Sequence, residues 1–215
     1  MTSRRPDRCS GFTLTELLMV MMVVTILYCI SLSAIRAVDR TARKTAARAE
    51  LKSIETGLKQ YYAHYLSWPP LSEGAATDEP QVEDRYAPIG RFPATVLGGA
   101  VGKVGEAAAA NPDKLIFVEF SRLDKDDRPL NPWGTSGRFP KDDCYYYAAM
   151  DTDGDNCVRF PDNPKSEGTP AGDVQEMNAV SLLPSDRRFR GSVIVWTFNP
   201  ELKADDKDYL IGSWQ

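Results

Sequence analysis

The chain has 215 residues, of which 42% are hydrophobic and 26% charged, and it carries a formal charge of −4. Beyond a short leader and one membrane helix, that length leaves one soluble domain of ordinary size. The charge is unevenly placed: residues 36–60 carry a net +4 and residues 61–215 a net −9, which argues against a nucleic-acid surface on the C-terminal part.

The first eleven residues hold Arg4, Arg5 and Arg8 against one Asp7, a basic flank of the sort that stays cytoplasmic. From Phe12 to Ile35 follows an apolar run whose one charge is Glu16. As a helix it is about 36 Å long, enough to cross a hydrocarbon core of about 30 Å. It exceeds the apolar core of a cleavable signal peptide, and its expected cut lies before the apolar stretch, not after it. An acid at such depth is a functional-site hypothesis whose partner has to be named. If the chain is cut after Gly11, Phe12 becomes a new N-terminus, whose amine, with a pKa of about 7.7–8.0, can pair with that carboxylate.

The sequence Gly11-Phe12-Thr13-Leu14-Thr15-Glu16-Leu17, after a basic leader and before a long apolar helix, resembles the processing motif of type IV pilins and of the pseudopilins of type II secretion. The resemblance implies that a prepilin peptidase cuts after Gly11 and methylates the amine of Phe12. It also implies that Glu16 pairs with the N-terminus of a neighbouring subunit during filament assembly. One departure stands out: no proline lies between Phe12 and Pro69, whereas many pilins carry a helix-kinking proline in the apolar stretch.

Apolar or aromatic residues then recur at Ile35, Val38, Ala42, Ala46, Ala49, Ile54, Leu58, Tyr61 and Tyr65. This periodicity predicts one helix from Phe12 to about Tyr65, with Gly57 tolerated at a cost of about 1 kcal/mol and Trp68-Pro69-Pro70 ending it. The outer half of its stripe is expected to pack under the head. The tyrosine-rich end and aromatic-proline exit resemble the major pseudopilin of type II secretion, the protein G type. Residues 71–113 are rich in Gly, Ala, Pro and Glu and read as a connecting loop with a short helix near Val104–Ala110. A phosphate-binding loop is excluded there, because Leu97 and Val104 stand where a glycine and a Ser or Thr are needed.

Short β-like runs at Leu115–Phe120, Cys144–Met150, Val158–Phe160 and Ser192–Phe198 predict a small antiparallel sheet. The fold class is therefore α+β: a long N-terminal helix, its first half membrane-spanning, packed on a sheet head, as in the pilin fold. The expected divisions are leader 1–11, transmembrane stem 12–35, exported stem 36–66, connecting loop 67–114 and head 115–215. Pro129-Leu-Asn-Pro-Trp-Gly134 resembles the proline-tryptophan-glycine turn of protein G pseudopilins, with Asn131 where an aspartate is usual. Trp133 is expected to be a structural plug.

Asp151, Asp153 and Asp155 alternate in a turn, and such carboxylates converge oxygens suited to Ca²⁺, which takes six to eight oxygen ligands. With Asp151 as position 1, Cys157 supplies a backbone carbonyl at 7 and Asp162 falls at 12; Asn156 replaces the usual glycine at 6, and asparagine accepts the left-handed conformation. A second cluster is Asp205, Asp206 and Asp208, between a strand and the closing Ser213-Trp214. This arrangement again resembles the protein G pseudopilin, whose loop there holds a calcium ion, although the glycines usual in that loop are missing. Of four cysteines, Cys9 and Cys29 lie in the leader and span, which leaves Cys144 and Cys157 as the pair able to form a disulfide outside the cytoplasm.

These features predict a structural subunit and no enzyme. One histidine, His64, supports no catalytic triad, no HExxH or GxSxG motif is present, and Asp142-Asp143 is ordinary for an acidic loop. The resemblance implies a pseudopilin polymerising into the periplasmic filament of a type II secretion system. Its partners are then copies of itself, other pseudopilins, prepilin peptidase and an inner-membrane assembly platform. It would be anchored by a single pass in the bacterial inner membrane, with its head in the periplasm. A type IV pilus subunit is the alternative within that class, and a membrane-anchored calcium-dependent binding module the alternative outside it.

Overall fold

The computed structural model describes residues 12–70, 85–99, 106–134, 139, 141–161 and 183–214. The chain divides into two units, Met1–Ala42 and Arg43–Gln215.

Helix α1 runs from Leu14 to Tyr65, 52 residues, through the boundary between the units. Its window Leu14–Ser31 is long and apolar enough to cross a membrane. Two hydroxyls in this stretch are satisfied within the helix, as a lipid environment requires: Thr25 donates to Met21 O at 2.7 Å and Ser31 to Leu27 O at 2.8 Å. The helix stops where Leu66, with φ of 55°, donates its N–H to Tyr62 O, and the Pro69-Pro70 pair follows.

In the second unit, α1 buries Ala47, Leu51, Ile54, Leu58 and Tyr61, a strict three-four stripe. The stripe departs from the sequence reading at its start. Ala49 is exposed and Ala46 only half-buried, and Ala47 and Leu51 take the inward positions. Short alanines carry little periodic signal, so a one-residue shift of the stripe was invisible there.

Strands β1 (Arg85–Pro88), β2 (Tyr146–Met150), β5 (Val193–Phe198) and β6 (Leu210–Gly212) form one antiparallel sheet in the order β1-β2-β5-β6. Helices α2 (Arg91–Leu97) and α3 (Glu106–Ala110) lie in the segment between β1 and β2. Strands β3 (Cys157–Arg159) and β4 (Arg188–Arg190) form a separate two-stranded ribbon. Every residue of β2 and β5 is buried, because the period-two alternation feeds two cores. Tyr146, Ala148, Met150, Val193 and Val195 join the α1 stripe, while Tyr147, Ala149, Ile194, Trp196 and Phe198 pack with Val158, Phe160 and Phe189 of the ribbon side. The sheet is thus covered on both faces.

Two predicted features change. Leu115–Phe120 is not a strand: the N–H groups of Phe117 and Val118 both go to Leu97 O at the end of α2, so the sheet receives nothing from it. Its place at the sheet edge is taken by β1, from within the stretch read as a connecting loop, whose Arg85–Pro88 pairs with Met150–Tyr147. The predicted short helix is present as α3.

Gly57 owes its presence to this packing. A Cβ there would lie 2.2 Å from Val118 Cγ2 and 2.7 Å from Phe117 O, so the helix gives up propensity to let the 117–118 backbone approach. Further along, Arg122 and the Tyr146 hydroxyl both bind the Glu50 carboxylate, tying stem, connecting segment and sheet together. Burial, with the Glu50 charge adding to it, raises the Tyr146 pKa far above the usual phenol range, so this hydroxyl remains a donor. Trp133 is 1% exposed and lies in the α1 core, in the plugging position expected of it.

Candidate functional site

The start of α1 is built by reciprocal hydrogen bonds. Thr13, the residue before the helix, accepts from Glu16 N at its Oγ1, 3.3 Å away. Glu16 Oε2 accepts in turn from Thr13 N at 2.9 Å and from Thr13 Oγ1 at 2.8 Å. This is a capping box, with Thr at the cap and Glu three residues on, and the carboxylate also faces the positive end of the helix dipole. The T-x-x-E spacing was present in the sequence as a signal of it, and Thr13 is a functional neighbour that sequence reasoning passed over. Among the described residues, Glu16 Oε1 has no partner. Phe12 is exposed, and Gly11 lies outside the described residues.

The turn between β2 and β3 brings together one carboxylate oxygen each from Asp151, Asp153 and Asp155, all within 4.8 Å of one another. Its root is clamped: Asp151 N donates to Ser192 O, and the Trp68 indole N–H donates to Asp151 O. Its tip is held by the carboxylates themselves. Asp151 accepts from Gly154 N and Asn156 N, Asp153 from Asp155 N, and Asp155 from Cys157 N. Gly154 at φ of 80° and Asn156 at φ of 59° supply the left-handed turns, the latter as the sequence reading anticipated. Asp153 and Asp155 are exposed, so three like charges converge at a position open to a cation. Asp162, the expected fourth acid, lies outside the described residues.

Residues 6–27 match the family model of the prokaryotic N-terminal methylation motif. The N-terminal segment is type IV pilin-like. The motif implies processing by prepilin peptidase and assembly into filaments. No curated protein and no solved structure matches the chain.

The remaining predicted sites are arranged differently from expectation. Asp205, Asp206 and Asp208 do not converge on one point: Asp208 is ion-paired to Lys44, and Asp206 Oδ1 accepts from Asp208 N at 2.9 Å. Among the described residues, only the Asp151 turn brings three acids together. Cys144 and Cys157 are both free thiols. Cys144 precedes β2, whereas Cys157 opens β3 beyond the opposite end of that strand, paired with Arg190. The intervening strand, at about 3.3 Å per residue, spaces them well past the roughly 7 Å that a disulfide can bridge. Burial, with Asp143 nearby, pushes the Cys144 thiol up to about 11, so it behaves as an apolar side chain.

Proposed function

We propose that this chain is a structural pseudopilin subunit, processed by prepilin peptidase and polymerised through its stem into the periplasmic filament of a type II secretion system. The observation that carries the reading is the methylation motif running directly into one 52-residue helix. The apolar first half of that helix is exposed, and its second half is the buried spine of a sheet head. Such a stem offers neighbouring subunits a long apolar surface, while the head stays folded without them. The aromatic-proline exit and closing Ser213-Trp214 favour secretion over a surface pilus. Ser213 bonds Val195 through both its N–H and its hydroxyl, and Trp214 folds over Gly212 onto Phe189 at 4.4 Å, so this ending is part of the second core.

Deletion of the gene is expected to leave normally extracellular proteins in the periplasm without removing surface filaments. Loss of surface filaments with export unchanged would transfer the assignment to a type IV pilus. Neither effect would exclude both.

The Asp151 turn is proposed to hold Ca²⁺ through Asp151, Asp153 and Asp155, with backbone carbonyls and water completing the shell. The ion would neutralise three crowded carboxylates on an already clamped turn. Calcium at a hundredfold excess over its Kd is expected to stabilise the full-length chain in detergent by about 2.7 kcal/mol, and chelator to reverse this. Calorimetry showing no binding to the full chain at millimolar calcium rules the site out.

A further inference from the structure

The loop from Asn199 to Asp208 carries Glu201, Asp205, Asp206 and Asp208 against Lys203 and Lys207, a net −2, and leads into β6, whose Leu210 and Ile211 are fully buried. Two of these acids meet cations of the stem. Lys44 Nζ contacts Asp208 Oδ1, with both side chains partly buried, and Arg43 Nη1 lies 4.0 Å from Glu201 Oε1. The rest of the loop is closed by its own backbone. Leu202 N donates to Asn199 O, Asp206 N to Lys203 O and Tyr209 N to Asp206 O, while Asn199 N reaches Tyr209 O at 2.7 Å. Asp206 Oδ1 is committed to Asp208 N. A divalent ion drawn to Asp208 would sit beside the Lys44 ammonium already held there, a like-charge contact in a partly buried place.

We infer that Lys44 is the resident cation of the C-terminal loop, a positioning residue that fastens β6 to the stem, and that this loop takes no metal. The related pseudopilin pattern puts calcium in the corresponding loop; the donor set here does not fit it. The inference is independent of the calcium reading of the Asp151 turn, which shares none of these residues.

Hydrogen exchange on the full-length chain in detergent micelles tests it, read over 199–212 with and without millimolar calcium or chelator. Wild-type exchange there is expected to be the same in both conditions, whatever happens at 151–157. Lys44→Gln and Asp208→Asn should each speed exchange roughly fivefold, the upper range for a partly exposed ion pair. Their combination should do no more than either alone, because the two changes remove one interaction. Lys44→Arg should exchange as the wild type. Slower exchange over 199–212 on adding calcium overturns the inference, as does wild-type exchange in Lys44→Gln. A Lys44→Arg chain that exchanges as fast as Lys44→Gln also overturns it.

Discussion

Replacing Glu16 with glutamine is expected to abolish filament assembly while leaving cleavage and membrane insertion intact. The choice of glutamine separates two jobs that the carboxylate does at once. In the single chain Glu16 closes a capping box with Thr13, and glutamine at that position can do the same. What glutamine lacks is the charge that would attract the amine of a neighbouring Phe12, an attraction that strengthens as water is excluded from between packed stems. Oε1 has no partner among the described residues, so the second interaction does not require the first to break. Glu16→Gln should therefore fail as completely as Glu16→Ala, whereas Thr13→Ala, which removes the cap and keeps the charge, should still assemble. The measurements are the cross-linked or sedimentable filament fraction and the mass of the mature N-terminus. Wild-type assembly by Glu16→Gln would mean that the acid serves only to begin a helix.

A comparably large effect, on stability in this case, is expected from Asn131→Asp. Asn131 is completely buried, and its Nδ2 donates to Asp143 O at 3.0 Å, Thr197 Oγ1 at 2.8 Å and Phe198 O at 3.1 Å. Its Oδ1 accepts from Trp133 N, and its own N–H donates to Cys144 O. Thr197 Oγ1 is in turn committed as a donor to Tyr145 O. An aspartate would put an acceptor oxygen against two carbonyls and a hydroxyl whose proton is already used, and would place a charge in a fully buried position. Unsatisfied buried groups cost about 1–3 kcal/mol each, and more when charged, so a loss of about 3 kcal/mol or more is expected. For a domain of this size that lowers Tm by roughly 6–12 °C. A calorimetric Tm within about 2 °C of the wild type would show that the pocket can rearrange to accept the acid. Three acceptors contributed from two distant parts of the chain thus account for an amide rather than a carboxylate at this position.

The N-terminal processing signal, the single apolar span, the helix ending at Tyr65, the strands at 146–150, 157–159 and 193–198 and the acidic turn were all legible in the sequence. Each depends on spacing over a few residues: a motif, a three-four or two-residue period, or an alternation of aspartates. The capping box of Thr13 and Glu16 was equally local and was obscured by the more conspicuous charge. Tertiary structure alone decided the rest, because the deciding partners are far apart in sequence. Gly57 is explained by Val118, and Asn131 by Phe198 and Thr197. The edge strand β1 emerges from a weakly patterned stretch because β2 has a free edge to pair with. Cys144 and Cys157, close in sequence, are separated by the strand between them. Of Asp205, Asp206 and Asp208, which spelled a second metal loop, Asp208 turns out to be ion-paired to Lys44, 164 positions away. Composition reveals that charge must be balanced; only the packing of stem against head decides which cation does it.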